Sequence, residues 1–385
     1  MMEYYIDASY RSLNKKGEEL CGDNVEYIKT EDGCIMVLSD GLGSGVKANI
    51  LATLTSKIAV TMLMEGSTID ETMETIVNTL PECKVRKLAY STFTIIKLSD
   101  NGECYMVEYD NPPCFFYRNG CDLPIDKVER HINGKTIYES NFRFLPGDLL
   151  TVVSDGAVHA GVGELLNLGW QWDSINDFLR GMSQKKFARD IANGLLEVCN
   201  TLYDGKPGDD TTVLAIKLQP VKYVNLFTGP PKDSTLDWLM VDILHRAPGM
   251  KILCGGTTAN IVASHWKKEI QIDLSGYSPD SLPPVGHLEG VDLVTEGLIT
   301  LSRTVDYLRE YKTFSTAITQ DDGAGILARH LLYDASHVNI YAGTAVNPAH
   351  QNPDFPLSFN IKLKIVKDLV KILHSLDKKV VLDYL

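Results

Sequence analysis

The sequence lacks the features that mark several protein classes. It has no run of 18 apolar residues, so no membrane span is expected. Its eight cysteines are scattered without a CxxC pair, which disfavours a zinc cluster. This scatter, and the absence of a signal-peptide pattern at the start, predict reduced thiols and a cytoplasmic location. The formal net charge of -13 argues against non-specific nucleic-acid binding, which needs a cationic surface.

The sequence does have the length and composition of a two-domain globular protein. It has 385 residues, of which 44% are hydrophobic and 23% charged. Residues 1–220 read as short strands interrupted by helical blocks, which predicts an α+β domain. A Pro-Pro pair in 221–232 predicts a linker. Alternating helices and strands in 233–385 predict a second, α/β domain of sensory, docking or oligomerising role, and the sequence leaves a homodimer open.

The segment LSDGLGSGVKANI, at 38–50, joins a strand to a helix. An apolar run ends at Asp40, and three glycines follow within five residues. Such a bare loop can bring backbone close to an ion or a phosphate, although a plain turn with a solvated carboxylate explains this stretch equally well. The helix is predicted over 46–64, with its apolar residues mostly in the core: Val46, Ile50, Leu51, Leu54, Ile58 and Met62.

Three further stretches place a carboxylate beside a glycine at a strand edge. They contribute Asp23, Asp155 and the pair Asp209-Asp210. Each alone is typical of a turn, but strand ends can gather at one rim of a sheet. Carboxylates that converge there would raise one another's pKa unless a cation neutralised them. Oxygen ligands favour hard divalent ions such as Mg²⁺ or Mn²⁺.

The ordered set GDN…SDGLGSG…PGDLLTVVSDG…GDDTT resembles the metal-dependent protein phosphatases (PPM, or type 2C), specifically the bacterial SpoIIE-like branch. The resemblance covers about residues 1–218. It implies a four-layer α/β/β/α sandwich of two antiparallel sheets, with two Mn²⁺ or Mg²⁺ ions in a cleft at one rim. It also implies hydrolysis of phosphoserine or phosphothreonine on a regulatory protein, by a water that the metals activate.

The resemblance assigns a role to each matching residue. Asp40 would touch both metals and the Gly41 carbonyl one of them. Asp155 and Asp209 would ligate the other metal, and Asp23 would reach a metal through water. Asp210 stands where the family often has Asn. The catalytic residues implied are therefore Asp40, Asp155 and Asp209, and the metal-binding residues are Asp23, Asp40, Gly41, Asp155 and Asp209.

The chain also departs from the wider family. Animal members often have a His two residues after the bridging Asp, where this sequence has Leu42, and no N-terminal phosphate-clamping Arg is evident. SpoIIE-like members commonly lack both, so leaving-group protonation would fall to water or to the substrate's surroundings. The alternative to an enzyme is a non-catalytic module that senses a phosphoprotein or a ligand on a phosphatase fold.

The second domain offers weaker signals and resembles no family. Gly255-Gly256 with Thr257 and Thr258 could hold an anion at a helix start, or could be ordinary helix capping. This makes a small-molecule or protein ligand of the C-terminal domain an open expectation. A helix over about 289–310 would place Glu289, Asp292 and Glu296 on one face, either solvated or lining a pocket.

Overall fold

A computed structural model describes residues 4–79, 91–163, 165–185, 187–272, 284–314, 317–345 and 357–385. The chain divides into two compact units, residues 1–220 and 221–385. Each unit has its own hydrophobic core, as the predicted two-domain organisation requires.

The N-terminal unit contains two antiparallel sheets. Sheet I has the order β1 (Tyr4–Leu13), β11 (Thr211–Pro220), β10 (Leu149–Val153), β6 (Phe115–Arg118), β7 (Cys121–Asp122). Sheet II has the order β2 (Asp23–Lys29), β3 (Gly33–Gly41), β4 (Ser91–Ser99), β5 (Glu103–Tyr109), β9 (Lys135–Arg143), β8 (Val128–Ile132).

Helices cover the outer face of each sheet. The helices on sheet II are α1 (Gly45–Met64) and α2 (Ile69–Thr79), and those on sheet I are α4 (Trp172–Met182) and α5 (Ala188–Leu202), with the short α3 (Asp155–Val158) after β10. Between the sheets, Met36 and Ile96 of sheet II pack with Val152 and Ile216 of sheet I. The predicted four-layer α/β/β/α sandwich is confirmed.

Helix α1 faces the sheet with a different side from the one predicted. Its buried residues are mostly small, including Ala48, Ala52 and Ala59, and they let the helix approach sheet II closely. Val46, Ile50 and Leu54 are instead between 43 and 61% exposed. The core placement of these three residues was therefore wrong, because hydropathy ranks Val, Ile and Leu above Ala while close packing favours the smaller side chain.

One described helix has the length and composition of a membrane span. It is α1, whose mean hydropathy is 1.2 over 18 residues, and 39% of that window is buried inside the protein. It packs on β2 and β3.

The C-terminal unit is an α/β domain, as predicted, and the structure shows that it is doubly wound. Sheet III has the order β14 (Gln271–Ile272), β15 (Gly286–Leu288), β16 (Val291–Thr295), β13 (Met250–Cys254), β12 (Tyr223–Thr228), β17 (His337–Ala342), β18 (Lys379–Tyr384). Its last five strands run parallel, and β14 and β15 add an antiparallel edge. One face packs on α6 (Asp237–Arg246) and α7 (Gly256–Trp266), and the other on α8 (Leu298–Phe314), α9 (Gly323–Arg329) and α10 (Leu357–His374).

Two sequence interpretations of this unit were wrong. Residues 221–232 are not a linker, because β12 lies within them as an interior strand of sheet III and the Pro-Pro pair follows the strand. Glu289, Asp292 and Glu296 do not share a helix face, because β16 is a strand and the helix begins only at Leu298. The Asp292 carboxylate accepts the Lys251 N–H at 2.7 Å, which is a structural role at a strand edge.

Candidate metal centre

Two of the predicted acids lie on adjacent strands of sheet II. Asp23 begins β2 and Asp40 is the last residue but one of β3, and the antiparallel register places them directly opposite each other. Opposed residues of an antiparallel pair point to the same face of the sheet. Sheet pairing therefore brings together two carboxylates 17 positions apart in sequence.

The other two acids lie where β10 ends and β11 begins. The Ser154 N–H donates to the Thr212 carbonyl at 3.0 Å, and the Thr212 N–H donates to the Ser154 hydroxyl at 2.8 Å. These bonds hold Asp155, the first residue of α3, beside the turn that carries Asp209. Sheet I thus supplies the second pair of carboxylates.

The acids of both pairs interact electrostatically with the Asp40 carboxyl. Burial raises the pKa of the Asp40 carboxyl to about 10, and the charges of Asp23, Asp155 and Asp209 add to the effect. Once protonated, Asp40 can also share a hydrogen bond with the Asp155 carboxylate. The structure therefore brings all four predicted acids into one electrostatic neighbourhood.

Asp23 is the most deeply buried member of this group. Burial raises its pKa to about 7, and the charges of Asp210 and Asp155 raise it further. The Ser154 and Thr212 hydroxyls are near enough to oppose this rise in part but do not reach hydrogen-bond geometry. Neither carboxylate oxygen of Asp23 accepts a hydrogen bond from a described residue, and the same holds for Oδ2 of Asp210. Buried carboxylate oxygens without donors are costly unless a cation neutralises them.

These residues fit a hard divalent cation by their chemistry. The donors are carboxylate oxygens and the Gly41 carbonyl, with buried atoms that lack other partners. Among the described residues, no three acidic, His or Cys side chains are close enough to ligate one ion in their present arrangement.

Glycines allow the backbone around these acids to pack closely. A Cβ on Gly41 would overlap the Ala48 carbonyl of α1, and a Cβ on Gly156 would overlap the Asp210 carbonyl. A Cβ on Gly22 would lie 2.7 Å from Asp210 Oδ2. The Asp-Gly pattern in the sequence thus has a physical cause, since larger residues would push the acid-bearing segments apart.

Sequence reasoning missed Lys15. Its Nζ lies 3.5 Å from Asp209 Oδ1, and its backbone N–H donates to Asp210 Oδ1 at 3.0 Å. Lys15 is 194 positions from Asp209 in sequence, and no local motif marks it, so only the pairing of β1 with β11 reveals the contact. It places a positive charge beside the acids.

Residues 30–219 match the family model of stage II sporulation protein E, SpoIIE. The N-terminal domain belongs to the SpoIIE family. The predicted SpoIIE-like resemblance is thereby confirmed, and the matched segment includes Asp40, Asp155 and Asp209.

Solved structures similar to the SpoIIE-family domain include the phosphatase domain of SpoIIE from Bacillus subtilis (20% identity, 57% of this chain, 95% of that chain, TM-score 0.44). Another is RsbX in complex with magnesium (19% identity, 57% of this chain, 100% of that chain, TM-score 0.41). A third is the S. agalactiae serine/threonine phosphatase (16% identity, 55% of this chain, 99% of that chain, TM-score 0.41). No curated protein matches the chain.

Proposed function

We propose that the SpoIIE-family domain is a Mn²⁺- or Mg²⁺-dependent protein phosphatase that acts on phosphoserine or phosphothreonine. The observation that carries this proposal is the convergence of Asp23, Asp155 and Asp209 on Asp40, whose pKa is raised to about 10 by burial and, in addition, by the charges of those three acids. Such a concentration of carboxylates is expensive to fold and is typical of a functional site.

In this proposal, Asp40, Asp155 and Asp209 hold the ions directly. The Gly41 carbonyl is a further ligand, and Asp23 acts through water. Two bound divalent cations would supply an activated water and would offset the negative charge of the phosphoryl oxygens. The chain itself fixes the acids on paired strands of two sheets, so their positions are set before the substrate arrives.

Lys15 is positioned to help bind the phosphoryl group. Its side chain is about one-third exposed and lies next to Asp209. In that position its ammonium can bind a phosphoryl oxygen by a charge-assisted hydrogen bond. This would give the site a cation in place of the arginine that the sequence lacks.

The accessibility of the rim supports a protein substrate. Asp155 is exposed and Asp40 and Asp209 are half-buried, so the site opens to solvent. A phosphorylated side chain on a folded regulatory protein could reach such an open rim, whereas a site for a small metabolite is usually a deeper pocket.

We infer that the C-terminal domain tunes this activity. The free state of the described cysteines supports a reducing, cytoplasmic setting.

The decisive experiment measures phosphate release from a phosphoserine protein with Mn²⁺, with Mg²⁺ and with EDTA. Wild type should turn over only with metal, and Asp40→Asn should lose about 100-fold or more in rate. The control is Asp126→Asn, which changes an exposed carboxylate in the loop before β8. Absence of turnover by wild type with every metal would contradict the enzyme, and binding of the phosphoprotein without turnover would favour the non-catalytic sensing module.

A further inference from the structure

Glycines follow four neighbouring parallel strands of sheet III. Gly229, Gly255 and Gly343 come directly after β12, β13 and β17, and Gly297 comes two residues after β16. All four therefore lie at the carboxyl edge of the sheet. The chain order of the strands reverses direction here, because β13 and β16 lie on one side of β12 and β17 and β18 on the other. In open α/β sheets this is the place where ligands bind.

The four glycine loops pack against one another. A Cβ on Gly297 would lie 3.5 Å from the Gly255 Cα, and a Cβ on Gly255 would lie 3.9 Å from the Gly229 nitrogen. A Cβ on Gly343 would overlap the Gly229 carbonyl. The edge is thus a surface of bare backbone, and bare backbone is what a bound anion can approach closely.

The start of α7 lies at this surface and has no side-chain cap. Gly255 is its N-cap residue, with a φ of 132°, and no side chain caps the helix. Gly256 and Thr257 are exposed, and a Cβ on Gly256 would meet nothing within 4 Å. The first N–H groups of a helix need acceptors and favour negative charge. The Gly-Gly-Thr-Thr segment thus does begin the helix, with a glycine N-cap that makes no side-chain hydrogen bond.

Thr258 provides an independent indication of a ligand. Its side chain has no exposed surface, and its hydroxyl has no hydrogen-bond partner among the described residues. The hydroxyl is turned back towards the glycine loop, because it is the nearest atom, at 3.5 Å, to the position of a Cβ on Gly255. A buried hydroxyl without a partner is uncommon in native proteins and often marks a missing ligand or water.

Lys362 of α10 supplies a positive charge at the same edge. Its ammonium donates to the Gly343 carbonyl at 2.7 Å and occupies the space where a Gly229 side chain would lie. It forms no salt bridge with any carboxylate among the described residues. Burial of this half-buried ammonium lowers its pKa to about 8.

We propose that the carboxyl edge of sheet III binds the phosphate group of a small molecule. The N–H groups at the start of α7 and the Thr258 hydroxyl donate to the phosphate oxygens, and the Lys362 ammonium neutralises their charge. The ligand is a small molecule because the donors lie at the switch in strand order of an open α/β sheet, which is where such sheets bind small ligands. This site is separate from the metal centre and does not depend on the proposed phosphatase activity.

The test uses the full chain carrying Asp40→Asn, in EDTA, so that the metal centre contributes no phosphate binding. Calorimetric titrations with inorganic phosphate and with ADP distinguish a site for the free ion from a site for a phosphate ester. Saturable binding of either probe is expected. Thr258→Val should weaken it several-fold while leaving the melting temperature unchanged or higher, because the hydroxyl that is removed has no protein partner.

Two pairs of variants, each with its own control, test which groups bind the phosphate. Lys362→Met should weaken binding about tenfold or more, whereas Lys364→Met, on an exposed position of the same helix, should not. Gly256→Glu should weaken binding more than Gly256→Gln, because both side chains enter open space and only one is an anion. Absence of saturable binding, equal binding by all variants, or binding of a phosphopeptide in place of both probes would overturn the proposal.

Discussion

Asp23 and Asp40 lie directly opposite each other on the paired strands β2 and β3. Like charges in this position repel, and neither Asp23 oxygen has a hydrogen-bond donor among the described residues. We therefore expect Asp23→Asn to raise the stability of the metal-free protein by about 1 kcal/mol.

The same substitution should weaken Mn²⁺ binding, because it removes a buried anion from the site. Urea unfolding in EDTA and a Mn²⁺ titration measure the two effects. Asp32→Asn, at an exposed turn, is the control and should change neither. A loss of stability in metal-free Asp23→Asn would show that Asp23 is a structural residue.

Gly41 couples the metal centre to α1. A Cβ at this position would overlap the Ala48 carbonyl, so Gly41→Ala must displace the helix or the strand end that carries Asp40. We expect a loss of about 1–3 kcal/mol in unfolding free energy. Activity should fall more at limiting Mn²⁺ than at saturating Mn²⁺, because the displaced segment carries Asp40 and Gly41, which are the proposed metal ligands.

Gly181→Ala is the matched control for this change. A Cβ on Gly181 meets nothing within 4 Å, and the residue lies inside α4, so alanine should be neutral or stabilising there. An equal loss of activity at limiting and saturating Mn²⁺ in Gly41→Ala would contradict the proposed coupling between α1 and the metals.

Lys15 should affect substrate binding more than stability. Its pair with Asp209 is about one-third exposed, so Lys15→Met should change the unfolding free energy by less than about 1 kcal/mol. Loss of a charge-assisted bond to the phosphoryl group should lower kcat/KM about tenfold. Steady-state kinetics on a phosphoprotein measure this effect. Lys16→Met, at the exposed neighbouring residue, should retain wild-type kinetics, and a matching loss there would argue for general surface charge.

The lowered pKa of Lys362 predicts a pH dependence of stability in the C-terminal domain. The pKa falls from 10.5 in the unfolded chain to about 8 in the folded domain. Between these values the unfolded state binds more protons, so this group makes the unfolding free energy rise with pH. Below about pH 8 the amine is protonated in both states and the burial penalty is fully present.

Lys362→Met should therefore stabilise the domain at about pH 7 and have a smaller effect at about pH 10. Urea unfolding of wild type and variant at both pH values, in phosphate-free buffer, measures the difference. Lys364→Met should show no such pH dependence. A constant difference between wild type and Lys362→Met at both pH values would contradict the lowered pKa.

The sequence singled out acids whose charges interact in the structure, and it could do so for a local reason. Asp40 and Asp155 end apolar strands and are followed by glycine, and this pattern reflects close backbone packing that the structure contains. Lys15 could not be predicted in this way. Its contact with Asp209 depends on the pairing of the first strand of the domain with the last, and no short segment carries that information.

The burial of α1 and the start of the second domain were harder to predict. Hydropathy favours Leu54 over Ala52 as a core residue, whereas the helix approaches sheet II through its small side chains. A Pro-Pro pair near a domain boundary is typical of a linker, but here it follows the interior strand β12 of sheet III. In both cases long-range packing decided the outcome over local composition.

The central claim is that aspartates from both sheets jointly hold two hard cations. A calorimetric titration of the metal-free chain with Mn²⁺ tests it most directly, on wild type, Asp40→Asn and Asp126→Asn. We expect two bound ions per chain for wild type and Asp126→Asn, and loss of at least one from Asp40→Asn. Binding that is absent in wild type, or that is unchanged in Asp40→Asn, would contradict it.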